Sequence, residues 1–116
     1  MKKTFSLILT TLLLAASAQA KLNVVATTAD LGAIAKEIGG DAITLTTLAK
    51  PTEDPHFVDA KPSFIVKLNR ADVVIEGGAE LEIGWLPALL DQSRNEKLAA
   101  GAPGHCLLYT SDAADE

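Results

Sequence analysis

A histidine-bearing loop holds the residues of this chain whose types are best suited to chemistry. His56 lies between Pro55 and Pro62, and the fixed backbone angle of each proline stiffens the loop, so the imidazole has a fixed aim. A neutral imidazole is a good ligand for zinc and a tolerable one for manganese. The acidic residues of the same loop are Glu53, Asp54 and Asp59.

These carboxylates have three possible uses. They could attract a cation, they could orient the His56 ring through its other nitrogen, or they could solvate an exposed loop. A lone loop histidine is more often a surface residue than a ligand. The sequence contains no HExxH, no CxxC and no second histidine nearby, so spacing alone does not establish a metal site.

The elements that must position this loop alternate between strand and helix patterns. Short runs rich in β-branched residues predict strands over residues 22–27, 42–48 and 72–76. Apolar residues at helical spacing predict three helices. The first follows Thr28 or Asp30 and ends at Gly39–Gly40, the second begins at Pro62, and the third covers residues 82–90 with Pro87 in its early turns.

This alternation predicts an α/β fold, a parallel sheet with helices on both faces. Ligands bind such sheets beyond the carboxyl ends of the strands. The His56 loop follows the second strand and Gly77–Gly78 follows the third, so both should lie at the binding edge. Trp85 is predicted to serve core or lobe packing. Glu80 and Glu82 are predicted to be charges at a helix start, where the helix dipole favours them.

Residues 1–20 have the features of a cleaved signal peptide. Lys2 and Lys3 give a positive start, residues 7–16 are largely apolar, and Ala18-Gln19-Ala20 is an A-x-A cleavage site. The apolar run is shorter than the roughly 20 residues that span a bilayer. We therefore expect cleavage after Ala20, a mature chain from Lys21, and a soluble protein in the periplasm. No cysteine follows the cleavage site, which argues against a lipid anchor.

The charge of the remaining chain argues against a nucleic-acid partner. Removing Lys2 and Lys3 lowers the count of Lys and Arg from 10 to 8, against 15 Asp and Glu. Nucleic-acid binding needs a basic surface, which this acidic chain does not have. An acidic surface is compatible with cation binding without proving it.

The last residues suggest a non-native origin. Cys106 is the only cysteine and cannot form an internal disulfide, which is unusual for an exported protein. The segment 106–116 is what results from translating a nucleotide string that resembles a transposon mosaic-end sequencing adapter. We therefore predict that the gene fragment runs into adapter near residue 105, and that the protein itself continues beyond His105. The alternative is an ordinary acidic tail.

Residues 21 to about 100 resemble the N-terminal lobe of metal-specific solute-binding proteins of ABC importers, the cluster A-I family for zinc and manganese. Asp54-Pro55-His56, with Pro62-Ser63 after it, resembles the family's first-ligand motif DPHxFEPTPSD. Ala71-Asp72-Val73-Val74 resembles its ADLV segment, and residues 77–82 with Trp85 resemble GxxLExW. The departures are Asp59 for the motif's glutamate, Ala60 for a proline, Phe64 for an aspartate, and the inserted Ile83-Gly84. They indicate a divergent subgroup.

The resemblance implies a fold, a ligand and a partner. The chain would be the partial first lobe of a two-lobed receptor, with His56 as the first of about four metal ligands and the others beyond residue 105. Asp59 and Glu53 would lie behind the ligand and orient it. His105 matches no ligand motif and is predicted to be a loop residue. The cargo would be zinc, or else manganese, passed by a monomeric protein to an ABC permease in the inner membrane, with no reaction catalysed.

Two other functions fit parts of the sequence. A metal-dependent hydrolase could use His56 as a ligand and Asp59 or Glu53 as a general base, but catalysis needs an open coordination position with a bound water. A receptor for an organic solute could keep His56 as a structural residue. It would be expected to line its cleft with aromatic side chains, and only 4% of this chain is aromatic.

Overall fold

A computed structural model of the chain describes residues 19–109. The predicted signal segment up to residue 18 and the final residues 110–116 lie outside this range, whereas Ala20 and Lys21 at the predicted cleavage site are exposed and precede the first strand. Within residues 19–109, no helix has the length and apolar character needed to cross a bilayer.

A four-stranded parallel sheet forms the centre of the fold, in the order β2-β1-β3-β4. Three helices and two short 3-10 turns, Gly40–Ala42 and Glu96–Leu98, connect the strands. In chain order the strands and helices are β1 Leu22–Ala26, α1 Ala29–Gly39, β2 Ile43–Thr47, α2 Pro62–Asn69, β3 Val73–Gly78, α3 Leu86–Ser93 and β4 His105–Tyr109.

Helices cover both faces of the sheet, as the sequence predicts. Successive strand residues point to opposite faces, and in β1 Val24 packs with Ala35 of α1, whereas Val25 belongs to the larger cluster with Leu68 of α2 and Leu86 of α3. The α/β fold with a parallel sheet is thereby confirmed.

The first helix begins and ends where the sequence predicts. The Thr28 side chain caps its start by accepting a hydrogen bond from the Leu31 amide. Gly40 ends it at a φ of 49°, a left-handed conformation that glycine adopts without strain. Lys36 in the last turn donates to the Gly40 carbonyl at 2.8 Å.

The prediction of a helix over residues 82–90 is wrong at its start. Residues 79–85 form a series of turns, and α3 begins only at Leu86. Pro87 lies in the first turn of α3, where a residue without an N–H costs no intrahelical hydrogen bond. In a helix begun at Glu82 the same proline would fall in the interior and break it.

The prediction that His105 is a loop residue is also wrong. His105 begins β4, opposite Val74, and its Nε2 contacts the Glu76 carboxylate. The preceding Gly104 permits this pairing, since an added Cβ would lie 2.4 Å from the Lys97 carbonyl oxygen and 2.5 Å from that of Asp72. No local pattern in the sequence reveals so close an approach.

Candidate functional site

The loop of residues 50–61 joins β2 to α2 at the carboxyl edge of the sheet. Its base is fixed by buried residues, Leu48 and Ala49 before it and Val58 within it. Glu53 closes the loop on itself, because its carboxylate accepts hydrogen bonds from the backbone amides of Lys50, at 3.0 Å, and Asp59, at 3.3 Å. These hydrogen bonds, with that from Lys50 the larger cause, lower the pKa of Glu53 below its usual value.

His56 sits on a tight turn that its own neighbours build. The Phe57 amide donates to the Asp54 carbonyl at 3.0 Å, and Pro55 occupies the second position of this turn, where its fixed φ is favourable. The Asp54 carboxylate accepts from the His56 amide at 2.9 Å and contacts the ring nitrogen Nδ1 at 2.8 Å. One short acidic side chain therefore fixes both the backbone and the ring of His56.

The contact with Asp54 decides which imidazole nitrogen is available. Hydrogen bonds from the His56 backbone amide and then from its ring lower the pKa of Asp54, so its carboxylate is ionised and can only accept. Nδ1 must then carry the hydrogen, which leaves the lone pair of a neutral ring on Nε2. With its side chain 57% exposed, His56 presents a preset nitrogen donor at the edge of the sheet.

Two residues of the turns before α3, Trp85 and Glu82, connect this loop to the sheet. The indole Nε1 of Trp85 donates to the Pro55 carbonyl oxygen at 2.8 Å. Trp85 itself is buried, which confirms its predicted place in the core. Glu82, predicted to be a helix-start charge, is instead buried in the turns before α3, and its carboxylate accepts from Thr27 Oγ1 and from the amides of Gly77 and Gly78.

The structure separates the other predicted site residues. Glu53 bonds to the loop backbone and Asp59 is exposed, whereas Asp54 is the carboxylate that meets the His56 ring. Across residues 19–109, no three side chains of the His, Cys, Asp and Glu types lie close enough together to hold a metal ion. His105 lines a cavity of about 530 Å³ whose walls include none of residues 50–61. His56 is thus one donor that needs partners from elsewhere.

Sequence inspection missed the buried role of Glu82, and it named Asp54 only as one of three loop carboxylates that could orient the His56 ring. The Asp54 contact has a local signal, since Asp and Asn side chains often accept from the amide two residues on. Glu82 also binds the nearby amides of Gly77 and Gly78, but its contact with Thr27 has no local signal, because Thr27 is 55 residues away. Only the packing of β1 beside β3 brings them together.

The parallel sheet and the exposed histidine at its carboxyl edge place the chain among α/β ligand-binding proteins. The chain belongs to the family described as ZnuA, zinc-uptake complex component A periplasmic, whose model matches residues 24–115. It is a family of binding proteins, not of enzymes, as the sequence predicts.

Individual relatives agree with this family assignment. The chain is 33% identical over 84 residues to the manganese ABC transporter substrate-binding lipoprotein scaA of Streptococcus gordonii, covering 70% of the chain and 27% of the relative. It is 31% identical over 102 residues to the iron ABC transporter substrate-binding lipoprotein MtsA of Streptococcus pyogenes serotype M1, covering 83% and 33%. The solved structure of the periplasmic zinc binding protein TroA from Treponema pallidum matches with a TM-score of 0.60 at 26% identity, covering 66% and 27%.

Two facts limit what these relatives say about the whole protein. The chain spans a third or less of the length of each of the three, and their names specify manganese, iron and zinc respectively. The comparisons therefore support a metal-binding receptor of an ABC transporter at the level of the family. They do not choose the metal.

Proposed function

We propose that this chain is the first lobe of an extracytoplasmic receptor that captures a transition-metal ion for an ABC importer, and that the imidazole of His56 binds the metal directly. The observation that carries the proposal is the preset imidazole. Its Nδ1 is held by Asp54, which leaves Nε2 free at the carboxyl edge of a parallel sheet. A ligating histidine normally donates its other ring N–H to a carboxylate or carbonyl in this way.

Zinc is the first choice of cargo and manganese the second. Imidazole nitrogen suits zinc, whereas carboxylate and carbonyl oxygens suit manganese. The carboxylates of Glu53 and Asp54 already bond within the loop, whereas the exposed ring of His56 offers a nitrogen donor. The remaining ligands would come from residues beyond this lobe.

The proposed export and delivery follow from the same family. A signal peptide cleaved after Ala20 would place the mature protein in the periplasm, and an ABC permease in the inner membrane would receive the metal from a monomeric receptor. The exposed positions of Ala20 and Lys21, ahead of β1, suit cleavage there without disturbing the sheet.

Residues 106–116 are proposed to be non-native. Residues 106–109 of β4 are all exposed, and three of them, Leu107, Leu108 and Tyr109, are large and apolar. The proposal rests on the unpaired Cys106 and on the resemblance of the nucleotide string that would encode residues 106–116 to a sequencing adapter. Sequencing the gene past codon 105 tests this proposal. An intact chromosomal reading frame that encodes these residues would overturn it.

The metal-binding proposal is tested by replacing His56 in the complete gene product. We expect His56→Ala to weaken zinc affinity by at least about tenfold, since even the loss of a residue behind a ligand costs 10- to 100-fold. Competitive titration with zinc and then with manganese gives the affinities and the preferred metal. His105→Ala is the matched control, because it removes the other histidine of the chain at a site away from the loop.

Two results would contradict the proposal. Equal zinc affinity for His56→Ala and the unmodified protein would make His56 a bystander. A larger loss for Asp59→Ala than for His56→Ala would mean that the carboxylate, not the imidazole, touches the metal.

A further inference from the structure

Trp85 joins the hydrophobic core to the His56 loop. The residue is 5% exposed and packs in the cluster that includes Val58 of the loop and Phe64 of α2. Its Nε1 also donates to the carbonyl oxygen of Pro55, the residue before His56, at 2.8 Å. The indole therefore fixes a backbone atom of the turn that carries the imidazole.

Glu82 fixes Trp85 in turn. The Glu82 carbonyl accepts from the Trp85 amide at 3.2 Å and from the Leu86 amide at 3.0 Å. Its carboxylate, in a residue only 1% exposed, accepts from Thr27 Oγ1 at 2.7 Å, Gly77 N at 2.7 Å and Gly78 N at 3.0 Å. The turn before Trp85 is thus bound to the carboxyl ends of β1 and β3.

These contacts form a continuous path from the sheet to the imidazole. From Thr27 and the two glycines it passes to Glu82, then to Trp85, then to the Pro55 carbonyl and so to His56. The loop has two other ties, the hydrogen bonds that the Glu53 carboxylate accepts from Lys50 and Asp59 and the burial of Val58. Within residues 19–109, the indole N–H donates the one hydrogen bond that joins residues 54–56 to a residue outside the loop.

We propose that Trp85 is a positioning residue for His56, with Glu82 as the anchor that holds Trp85 in place. The inference rests on the proposed function, in which His56 binds the metal. Holding a ligand in its bound geometry before the metal arrives raises affinity, because less conformational freedom is lost on binding. Trp85 would then raise metal affinity without touching the metal.

Trp85→Phe in the complete gene product tests this role. Phenylalanine keeps an aromatic ring in the core and removes the N–H that holds Pro55. We expect zinc affinity, titrated with zinc chloride, to fall by about tenfold, the low end for loss of a residue behind a ligand. Phe64→Leu is the matched control, since it also removes core volume but leaves the indole contact intact, and its zinc affinity should equal that of the unmodified protein.

A double-mutant comparison separates positioning from general stability. With His56→Ala already present, adding Trp85→Phe should change zinc affinity no further, because its effect passes through His56. An equal loss from Trp85→Phe in both backgrounds would overturn the inference, as would unchanged affinity in the single variant.

The positioning role of Trp85 can also be tested by spectroscopy without metal. In metal-free protein, ¹⁵N shifts of the His56 ring should show one tautomer, with hydrogen on Nδ1, and Trp85→Phe should mix the two tautomers. If His56→Ala binds zinc normally, the proposed function fails, and the tautomer measurement still decides the positioning role. If Trp85→Phe does not fold, Thr27→Val takes its place, because valine keeps the side-chain shape but removes the hydroxyl that holds Glu82. Thr27→Val should mix the two His56 tautomers to a smaller degree. An unchanged His56 spectrum in this variant would overturn the inference.

Discussion

Replacing Glu82 with alanine should be among the most destabilising single changes in this lobe. The residue is 1% exposed, and its carboxylate accepts hydrogen bonds from one hydroxyl and two backbone amides. Alanine removes all of these acceptors. The Thr27 hydroxyl can rotate toward another partner, but the amides of Gly77 and Gly78 belong to the end of β3 and cannot turn away.

The expected cost follows from those orphaned donors. A buried donor left without a partner costs about 1–3 kcal/mol. The two glycine amides together would cost about 2–6 kcal/mol, and water entering the vacated space can serve part of this demand, so we expect a net loss of about 2–4 kcal/mol. A domain has about 5–15 kcal/mol of stability in total, and the melting temperature should fall by more than about 10 °C.

Urea unfolding of the chain from Lys21, followed by far-ultraviolet circular dichroism, measures this loss. Thr27→Val removes a single donor with little change of shape and should cost about 1 kcal/mol. Glu37→Ala is the matched control, because it is the same substitution on the exposed face of α1 and should be nearly neutral. A Glu82→Ala midpoint equal to that of Glu37→Ala would refute the reasoning, since the buried carboxylate would then contribute nothing.

Two further predictions concern pH and a helix end. Hydrogen bonds from the Asn23 amide and then from Lys97 lower the pKa of Asp72 in the folded chain. The ionised Asp72 carboxylate therefore stabilises the fold fully above the usual aspartate pKa of about 3.9. This stabilisation is lost as the pH falls through the lower pKa of the folded state. Urea midpoints measured from pH 6 to pH 3 should therefore decline less steeply for Asp72→Asn than for the unmodified chain, and parallel declines would contradict this. Arg94→Gly should raise the free energy of unfolding by about 0.5–1 kcal/mol, because Arg94 ends α3 at a left-handed φ of 51°. The control Gln92→Gly, inside the same helix, should lower the free energy of unfolding by about 1 kcal/mol. A lower free energy of unfolding for Arg94→Gly would contradict the prediction, because the Arg94 side chain would then matter more than its backbone angle.

Much of the fold could be predicted because its signals are local. The helix that ends at Gly39–Gly40 depends on a cap and a left-handed glycine within its own residues, and Pro62 begins α2 through its own fixed φ. The strand at His105 could not be predicted, since it depends on pairing with β3, whereas the start of α3 has a local signal in Pro87. Turn and strand patterns of a few residues do not encode such partners.

The sequence by itself determined the alternation of strands and helices and the identity of His56 as the candidate ligand. It also indicated the hydrogen bond from the His56 amide to the Asp54 carboxylate, because an Asp side chain often accepts from the amide two residues on. Tertiary structure decided the rest. Trp85 meets Pro55 across 30 residues and Glu82 meets Thr27 across 55, and these contacts exist only because β2, β1 and β3 lie side by side in a parallel sheet. Two parallel strands that are neighbours in a sheet must be joined by a long crossover connection. Residues at their shared carboxyl edge are therefore far apart in the chain and come together only on folding.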